Sequence, residues 1–553
     1  MPALTARPAL TALALIAAVS SVRAHFVFVV PEADGGSAKV LMSEDLKPDA
    51  QVNVSIIGGA SLHTLDAAGK TAPLPMSPLD DHAMKVAIEK SARVIYGVAD
   101  LGVMQRGNAK PNWLRYFPKT VIGDPTAEGV TLGDKAPVEI VPVRIDGKLR
   151  LKLLADGKPV GSGDVNMVPA EGDEESLAVN ADGLTDPIDI TGRVGFWARN
   201  IKTTAGELNG KKYEEVRRYA TLVIDIPIGH ATTATTTATT QPATRPAAVA
   251  HWPVEPFTPL PEPASSFGAV AAGGYLYVYG GHVVDTHDYS DKSVSGRFHR
   301  LKLDGGNTWE TLPAGPHLQG LNLAAKGDVI YRVGGMAPKN AEGQDENIRS
   351  VADVAAFAPA VGKWAALPPL PQPRSSHDVA VIGDTLYVVG GWTLAGEAGS
   401  ATWHDDLLVL DLTNPKSGWK TLPQPFKRRA LIASVYHGKL YAIGGFQEDD
   451  EPSLATNIYD PATNAWTPGP ALPGPALNGF GPAAAVSGGR LFASVGDGSL
   501  LRLTTAGDAW EQVATTTKRI VHRMASDGDR LLILGGAAGR KQQTLIEAVR
   551  VRP

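Results

Sequence analysis

The chain has 553 residues, more than one ordinary hydrophobic core accommodates, so two or more domains are expected. Charged residues make up 20% and hydrophobic residues 43%, a globular composition, and a net charge of −5 with no basic stripe argues against nucleic acid as a partner. There is no cysteine, which excludes disulfides, thiolate metal ligands and a thiol nucleophile together.

In chain order, Arg7, the apolar run Leu10–Val19 and the small residues at −3 and −1 in Val22-Arg23-Ala24 read as a secretory signal, so 1–24 is expected to be removed. The run is too short to favour a membrane span, and no later stretch is long enough. A lipoprotein anchor would need a cysteine. A secreted or periplasmic protein of a bacterial cell envelope is therefore expected.

Removal would leave His25 first, followed by the strand Phe26–Pro31. Short strands broken by turn residues follow to about Pro227: Ala38–Met42, Gln51–Ile57, Arg93–Val98, Val138–Ile145, Leu149–Leu154, Gly163–Val168 and Arg217–Ile226. No long helical period interrupts them. The reading is an all-β sandwich over 25–228, in one unit or in two Ig-like or transthyretin-like units meeting near Pro137. The segments Ala24–Pro31, Tyr96-Gly97-Val98, Met104–Gly107, Glu139–Pro142, Asp156–Val160 and Gly210–Leu222 resemble the domain of unknown function 4198 family. That resemblance implies an exported bacterial β-sandwich, some relatives of which are associated with nickel or cobalt uptake. Arg218 stands where the family leads one to expect histidine, which weakens any metal role carried over from it.

Residues 229–249 are rich in Thr, Ala and Pro and have too little apolar bulk for a core, so they are expected to be an extended linker. Beyond it a period sets in. Tyr275–Gly281 is an apolar run stopped by two glycines, and it recurs at Val329–Gly335, Thr385–Gly391, Lys439–Gly445 and Arg530–Gly536, with a worn copy at Arg490–Asp497. The glycine pairs are Gly280-Gly281, Gly334-Gly335, Gly390-Gly391, Gly444-Gly445 and Gly535-Gly536. First glycines at 280, 334, 390, 444, 496 and 535 are spaced by 54, 56, 54, 52 and 39 residues. Trp309, Trp364, Trp419, Trp466 and Trp510 follow, most of them just before a Leu-Pro turn.

This pattern resembles kelch repeats, each of which makes one four-stranded blade of a β-propeller. It predicts a six-bladed propeller over 250–553, with the Gly-Gly run as the inner strand of each blade. The last signature is followed by one strand, Leu545–Val551, and no tryptophan, whereas Trp252 precedes the first signature. The segment around Trp252 is thus expected to supply the outer strand of the last blade and close the ring.

Candidate chemistry is sparser. A free amine and imidazole at a mature His25 would form a bidentate pair suited to copper or nickel, with His63 and His82 as further ligands; the alternative is an ordinary histidine opening a strand. Asp304–Trp309, Glu448–Glu451 and His404-Asp405-Asp406 read as turns and solvated loops. His282, Arg374, His377, Trp392, Arg428, Arg429, Phe446, Asn478 and Arg519 should gather on one mouth of the propeller, where arginines with aromatics would hold a glycan, a carboxylate or an acidic peptide.

Three functions stay open: an envelope protein binding a glycan or protein, a sugar-modifying enzyme resembling the periplasmic sialic acid mutarotase, and a scaffold without a small ligand. Galactose oxidase chemistry is excluded, because its cross-linked cofactor requires a cysteine.

Overall fold

A computed structural model describes residues 25–49, 52–105, 110–169, 175–226, 252–286, 288–396, 401–448 and 451–552. Residues 1–24, expected to be a signal, and all of 229–249, expected to be a linker, with its flanks 227–228 and 250–251, lie outside the described residues. Among the described residues no helix is long and apolar enough to cross a membrane.

The N-terminal domain is built on one eight-stranded sheet. Its order is Glu175–Ala178, Asp164–Pro169, Gly192–Leu208, Lys211–Ile226, Asn112–Val121, Ala92–Met104, Ser61–Asp66 and Thr71–Pro73. Strands from both sides of Pro137 thus share one sheet, joined by parallel pairing of Glu215–Val223 with Asn112–Thr120. One face carries a core with the three-stranded sheet of Val138–Ile145, Lys148–Ala155 and Lys158–Pro159; the other carries a core with the four-stranded sheet led by Phe26–Pro31. Being covered on both sides is why Ala220 to Ile224 are all buried rather than alternating. The hydroxyls of Thr120 and Thr221 donate to the carbonyls of Val29 and Val27 at 2.5 and 2.6 Å, tying the first strand down. One expected strand is absent: Val54–Ile57 is a 3-10 turn, because the Asn53 side chain accepts from Ser55 N at 3.0 Å and caps it, while Val54 and Ile57 bury their side chains.

The C-terminal half is a six-bladed ring. The blades start with Gly268–Ala272, Leu323–Lys326, Asp378–Ile382, Ile432–Tyr436, Ala483–Ser487 and Arg523–Asp527, and these six strands touch one another in turn around the axis. The Gly-Gly strand is therefore second from the axis, not innermost as the sequence suggested. Small first strands (Gly268-Ala269, Ala483–Ala485) fit the crowded centre, and the bulkier Tyr275–Tyr279 run packs between blades. In the sixth blade the order from the axis is Arg523–Asp527, Arg530–Leu534, Ile546–Arg550 and Val254–Pro256, so a strand from just after the linker closes the ring.

Two devices hold neighbouring blades together. Each outer-strand indole donates to a proline carbonyl of the preceding blade link: Trp309 to Pro259 at 2.7 Å, Trp364 to Pro313 and Trp419 to Pro368 at 3.0 Å, and Trp466 to Pro423 and Trp510 to Pro470 at 3.1 Å. Near the axis, Ser266, Gly320, Ser376, Ala430, Gly481 and Val521 all have left-handed backbones, with φ between 46° and 63°. The N–H of each donates to the C=O of its counterpart in the previous blade, at 2.7 to 3.0 Å, and Ser266 donates to Val521. The six bonds form a closed ring around the axis.

A left-handed conformation is costly for residues with a Cβ. At Gly481 a Cβ would lie 2.7 Å from the backbone N of Val521 and 2.9 Å from its Cα. Gly481→Ala is accordingly expected to lower stability by about 2 kcal/mol or more in urea denaturation. Ala430→Gly, which removes a Cβ from the same backbone state, should stay within about 1 kcal/mol of the parent.

Candidate functional site at the propeller mouth

The loops between second and third strands and the links between blades emerge on the same face. Residues at two positions per blade line its mouth. The residue after each glycine pair (His282, Met336, Trp392, Phe446 and Ala537) bridges to the residue just before the left-handed one (Ser265, Gln319, Ser375, Arg429 and Ile520). The glycines permit this crossing: Gly281 has φ +107°, and a Cβ there would sit 2.7 Å from Phe267 Cβ.

All nine sequence-nominated residues stand on this face, but most of them serve the fold. Arg374, Arg428 and Arg519 are buried and staple their own blades. Arg428 Nη1 donates to the carbonyls of Gly444 and Ala455 at 2.7 and 2.6 Å, with Nη2 on Asn457 Oδ1. Arg519 Nη1 reaches Gly535 and Leu545 at 3.2 and 3.1 Å, and Nη2 pairs with Glu547. Arg374 does the same with Gly390 and Asp406 at 3.4 and 3.1 Å, and its Nη2 lies 2.5 Å from Asp406 Oδ1.

His377 is buried beneath, with Nε2 3.1 Å from Val333 O. Burial, helped by the charge of Arg374, holds its imidazole down at about 3. Asn478 closes on Pro473 and Asp497 at 2.9 Å. His282 is buried against Asp285 O at 2.9 Å, and burial lowers its pKa. In these six, the polar contacts described run to backbone carbonyls and to neighbouring side chains of the propeller itself.

The other three, Arg429, Trp392 and Phe446, form a cluster of charge and aromatic rings at the mouth. The Arg429 guanidinium lies 4.2 Å from the Trp392 ring centre and 4.6 Å from that of Phe446. Trp403 and Phe480 complete the surround at 5.8 Å each, with Trp392 edge-on to Trp403 and Phe446 edge-on to Phe480. All five side chains are half-buried. The indole Nε1 of Trp392 is buried without a hydrogen-bond partner among the described residues. Across the mouth, Tyr289 packs on His282 with ring centres 5.2 Å apart. Burial raises its phenol pKa, the charge of Glu346 adds to this and that of Arg429 opposes it. Trp403, Phe480, Tyr289 and Glu346 were missed from the sequence. The edge-on pairs could have been sought in the loop aromatics, whereas nothing local marks Glu346.

Elsewhere, Asp304–Asn307 turns between the strands Val294–Lys302 and Trp309–Leu312 as expected. His404 is buried, with Nε2 2.9 Å from Thr393 Oγ1 and its pKa lowered to about 4, by burial first and then by the charge of Arg374. In the N-terminal domain His25 meets Asp49 at 3.0 Å, His82 meets Val52 O at 3.0 Å and His63 stacks on Tyr96. Among the described residues no three His, Asp or Glu side chains are grouped to hold a metal ion, so the nominated trio is not brought together.

Six four-stranded blades with this glycine and tryptophan grammar define a propeller of the kelch class, and the chain carries a kelch repeat domain. The family model for the Kelch motif matches residues 427–473. The chain is similar to human Kelch-like protein 33, 36% identical over 141 residues, which are 25% of this chain and 24% of that protein. It is also similar to N-acetylneuraminate epimerase of Pasteurella multocida, 32% identical over 143 residues, 25% of this chain and 34% of that one. The matched stretch thus spans about a quarter to a third of either relative. Among solved structures, that of YjhT aligns with a TM-score of 0.42 and 16% identity, over 52% of this chain and 95% of the other.

Proposed function

We propose that the protein is an exported binding protein of the cell envelope whose propeller mouth holds a carboxylate-bearing glycan or an acidic segment of a protein. The observation that carries this reading is the seat around Arg429. Aromatic rings flank the guanidinium at 4.2 and 4.6 Å, and a cation set among aromatic rings attracts a carboxylate while offering apolar area beside it. The aromatic rings offer apolar area for a sugar face or a peptide backbone, and the buried Trp392 Nε1 offers a donor. Kelch domains generally bind proteins, which agrees with this use of the mouth. The signal-like segment 1–24 and the resemblance of 25–228 to an exported sandwich family support the location. The sandwich then acts as a docking module, and the metal-handling reading rests on the N-terminal position of His25 alone.

A second reading, a sugar mutarotase, is favoured by the similarity to N-acetylneuraminate epimerase. Anomer exchange needs only an acid and a base near the ring oxygen, and the mouth carries the Tyr289 phenol, whose pKa burial raises. Both readings meet one experiment, titration of the full chain with N-acetylneuraminate followed by NMR. Binding predicts saturable shifts that weaken at least about tenfold in Arg429→Ala. Catalysis predicts, in addition, anomer exchange faster than the spontaneous rate. No saturable shift, together with empty glycan arrays and pull-downs, would favour a scaffold and overturn both.

A further inference from the structure

Among the described residues, three polar contacts join the N-terminal domain to the propeller. Asp164 Oδ2 accepts from the backbone N–H of Ala476 at 2.9 Å. Arg199 pairs with Glu451. Lys518 Nζ lies 2.7 Å from Glu175 Oε1. The three sandwich residues come from one end of the eight-stranded sheet: Val165 pairs with Ala198 and Met167 with Glu175, so Asp164, Glu175 and Arg199 stand on three adjacent strands.

The propeller residues they meet are placed tellingly. Glu451 is tied to the strand end at Phe446: Gln447 N donates to Glu451 O at 2.8 Å, and Phe446 bridges to Pro452. Phe446 in turn pairs with Arg429 in a two-residue ladder. Ala476 opens the single turn Ala476–Gly479 that leads directly into Phe480. The sandwich therefore grips the two loops that bear two of the four aromatic walls around Arg429.

We propose that the sandwich is a wall of the propeller mouth: by holding the Glu451 and Ala476 loops it fixes Phe446 and Phe480 against Arg429, with Arg199 and Asp164 as positioning residues. This rests on the mouth reading for its consequence but not for its test.

The contacts differ in weight. Lys518 and Glu175 have side chains 61% and 41% exposed, so solvent screens their attraction and they contribute little. Arg199 and Glu451 are 24% and 17% exposed, and Asp164 is sufficiently buried at the contact that its carboxyl pKa is raised, with the Ala476 N–H and the Arg199 charge opposing. A charge-assisted bond to a backbone N–H orders a loop more strongly than a flexible surface pair does.

Hydrogen–deuterium exchange on the full chain, without ligand, tests the proposal. Arg199→Glu should speed exchange in peptides covering 445–448, 451–453 and 476–480 by about tenfold, the factor for losing one charge-assisted bond. Combining Arg199→Glu with Glu451→Arg should restore parent rates, a rescue that general destabilisation would not give. If Arg199→Glu folds poorly, Asp164→Ala, which removes the acceptor for Ala476 N–H, gives the same readout at 476–480. Parent-like exchange in both single variants would overturn the wall while leaving the mouth reading untouched. An empty titration with N-acetylneuraminate would do the reverse.

Discussion

Deleting 250–256 from the full chain is expected to lower the melting temperature by roughly 10 °C, from loss of about 4 kcal/mol or more. The segment supplies the fourth strand of the last blade, Val254–Pro256, which pairs with Glu547–Val549. It also supplies Trp252, 9% exposed, whose ring lies 5.8 Å from Phe492 and 5.5 Å from the Arg502 guanidinium. The backbone N of Trp252 donates to Val513 O at 2.7 Å, reaching the outer strand of the fifth blade. Deletion therefore empties the wedge between blades five and six and exposes the edge Ile546–Arg550 to pairing with other chains. Truncating a buried tryptophan alone costs about 3 to 5 kcal/mol, so Trp252→Ala should reproduce most of the loss without touching the strand. Calorimetry of both variants checks this. A deletion variant as stable as its parent would mean that the ring is held by its other interfaces and that closure is ornamental.

How far the fold was legible depends on where each partner lies. The glycine pairs and tryptophans repeat locally, so the number of blades and the closing role of Trp252 could be read from spacing alone. The rank of the Gly-Gly strand could not, because periodicity says which residues recur and not which strand faces the axis. The arginines show the same limit. Arg374, Arg428 and Arg519 each stand sixteen residues before the first glycine of a pair, at 390, 444 and 535. That constant offset signals a structural repeat, but its acceptors are backbone carbonyls, which carry no sequence mark. Read one by one, three arginines beside a mouth look like ligand contacts. Arg429, one residue beyond Arg428, points the other way and is the one aromatic rings surround. Trp403 and Phe480 reach it from loops of different blades, and only the ring geometry brings them together. In the sandwich, Val52 to Ile57 alternates like a strand, yet the Asn53 side chain competes for the backbone and turns it.

The same repeat makes the propeller sensitive to acid. The residue following each left-handed position is Phe267, Leu321, His377, Leu431, Pro482 or His522, so two blades put an imidazole where the others put an apolar side chain. His522 is fully buried with Nε2 2.9 Å from Ser494 Oγ, and burial holds its pKa well below the usual value, with the charges of Arg519 and Arg523 adding to the effect. His377 is held at about 3 and His404 at about 4, in both cases by burial first. In the unfolded chain each titrates near 6.5. Between that value and the folded one the unfolded state binds the extra proton, so stability falls as pH falls. The slope is about 1.4 kcal/mol per pH unit for each histidine, so His377 and His404 together cost on the order of 4 kcal/mol at pH 5, and His522 adds to this in the same direction. The loss begins near pH 6.5 and ends for each group at its folded pKa. Asp378, whose carboxyl is raised by burial, acts in the opposite sense, binding its proton in the folded state as pH falls towards the carboxylate range. Urea midpoints at pH 7.5 and pH 5 should therefore be compared between the parent and the double variant His377→Leu, His522→Leu. The double variant gives up the bonds to Val333 O and Ser494 Oγ, a modest loss at pH 7.5. It should lose far less stability than the parent on acidification, because Leu321 and Leu431 already fill the same position in other blades. An unchanged difference between the two pH values would show that these imidazoles are protonated within the folded ring, and that its centre is wetter than its packing implies.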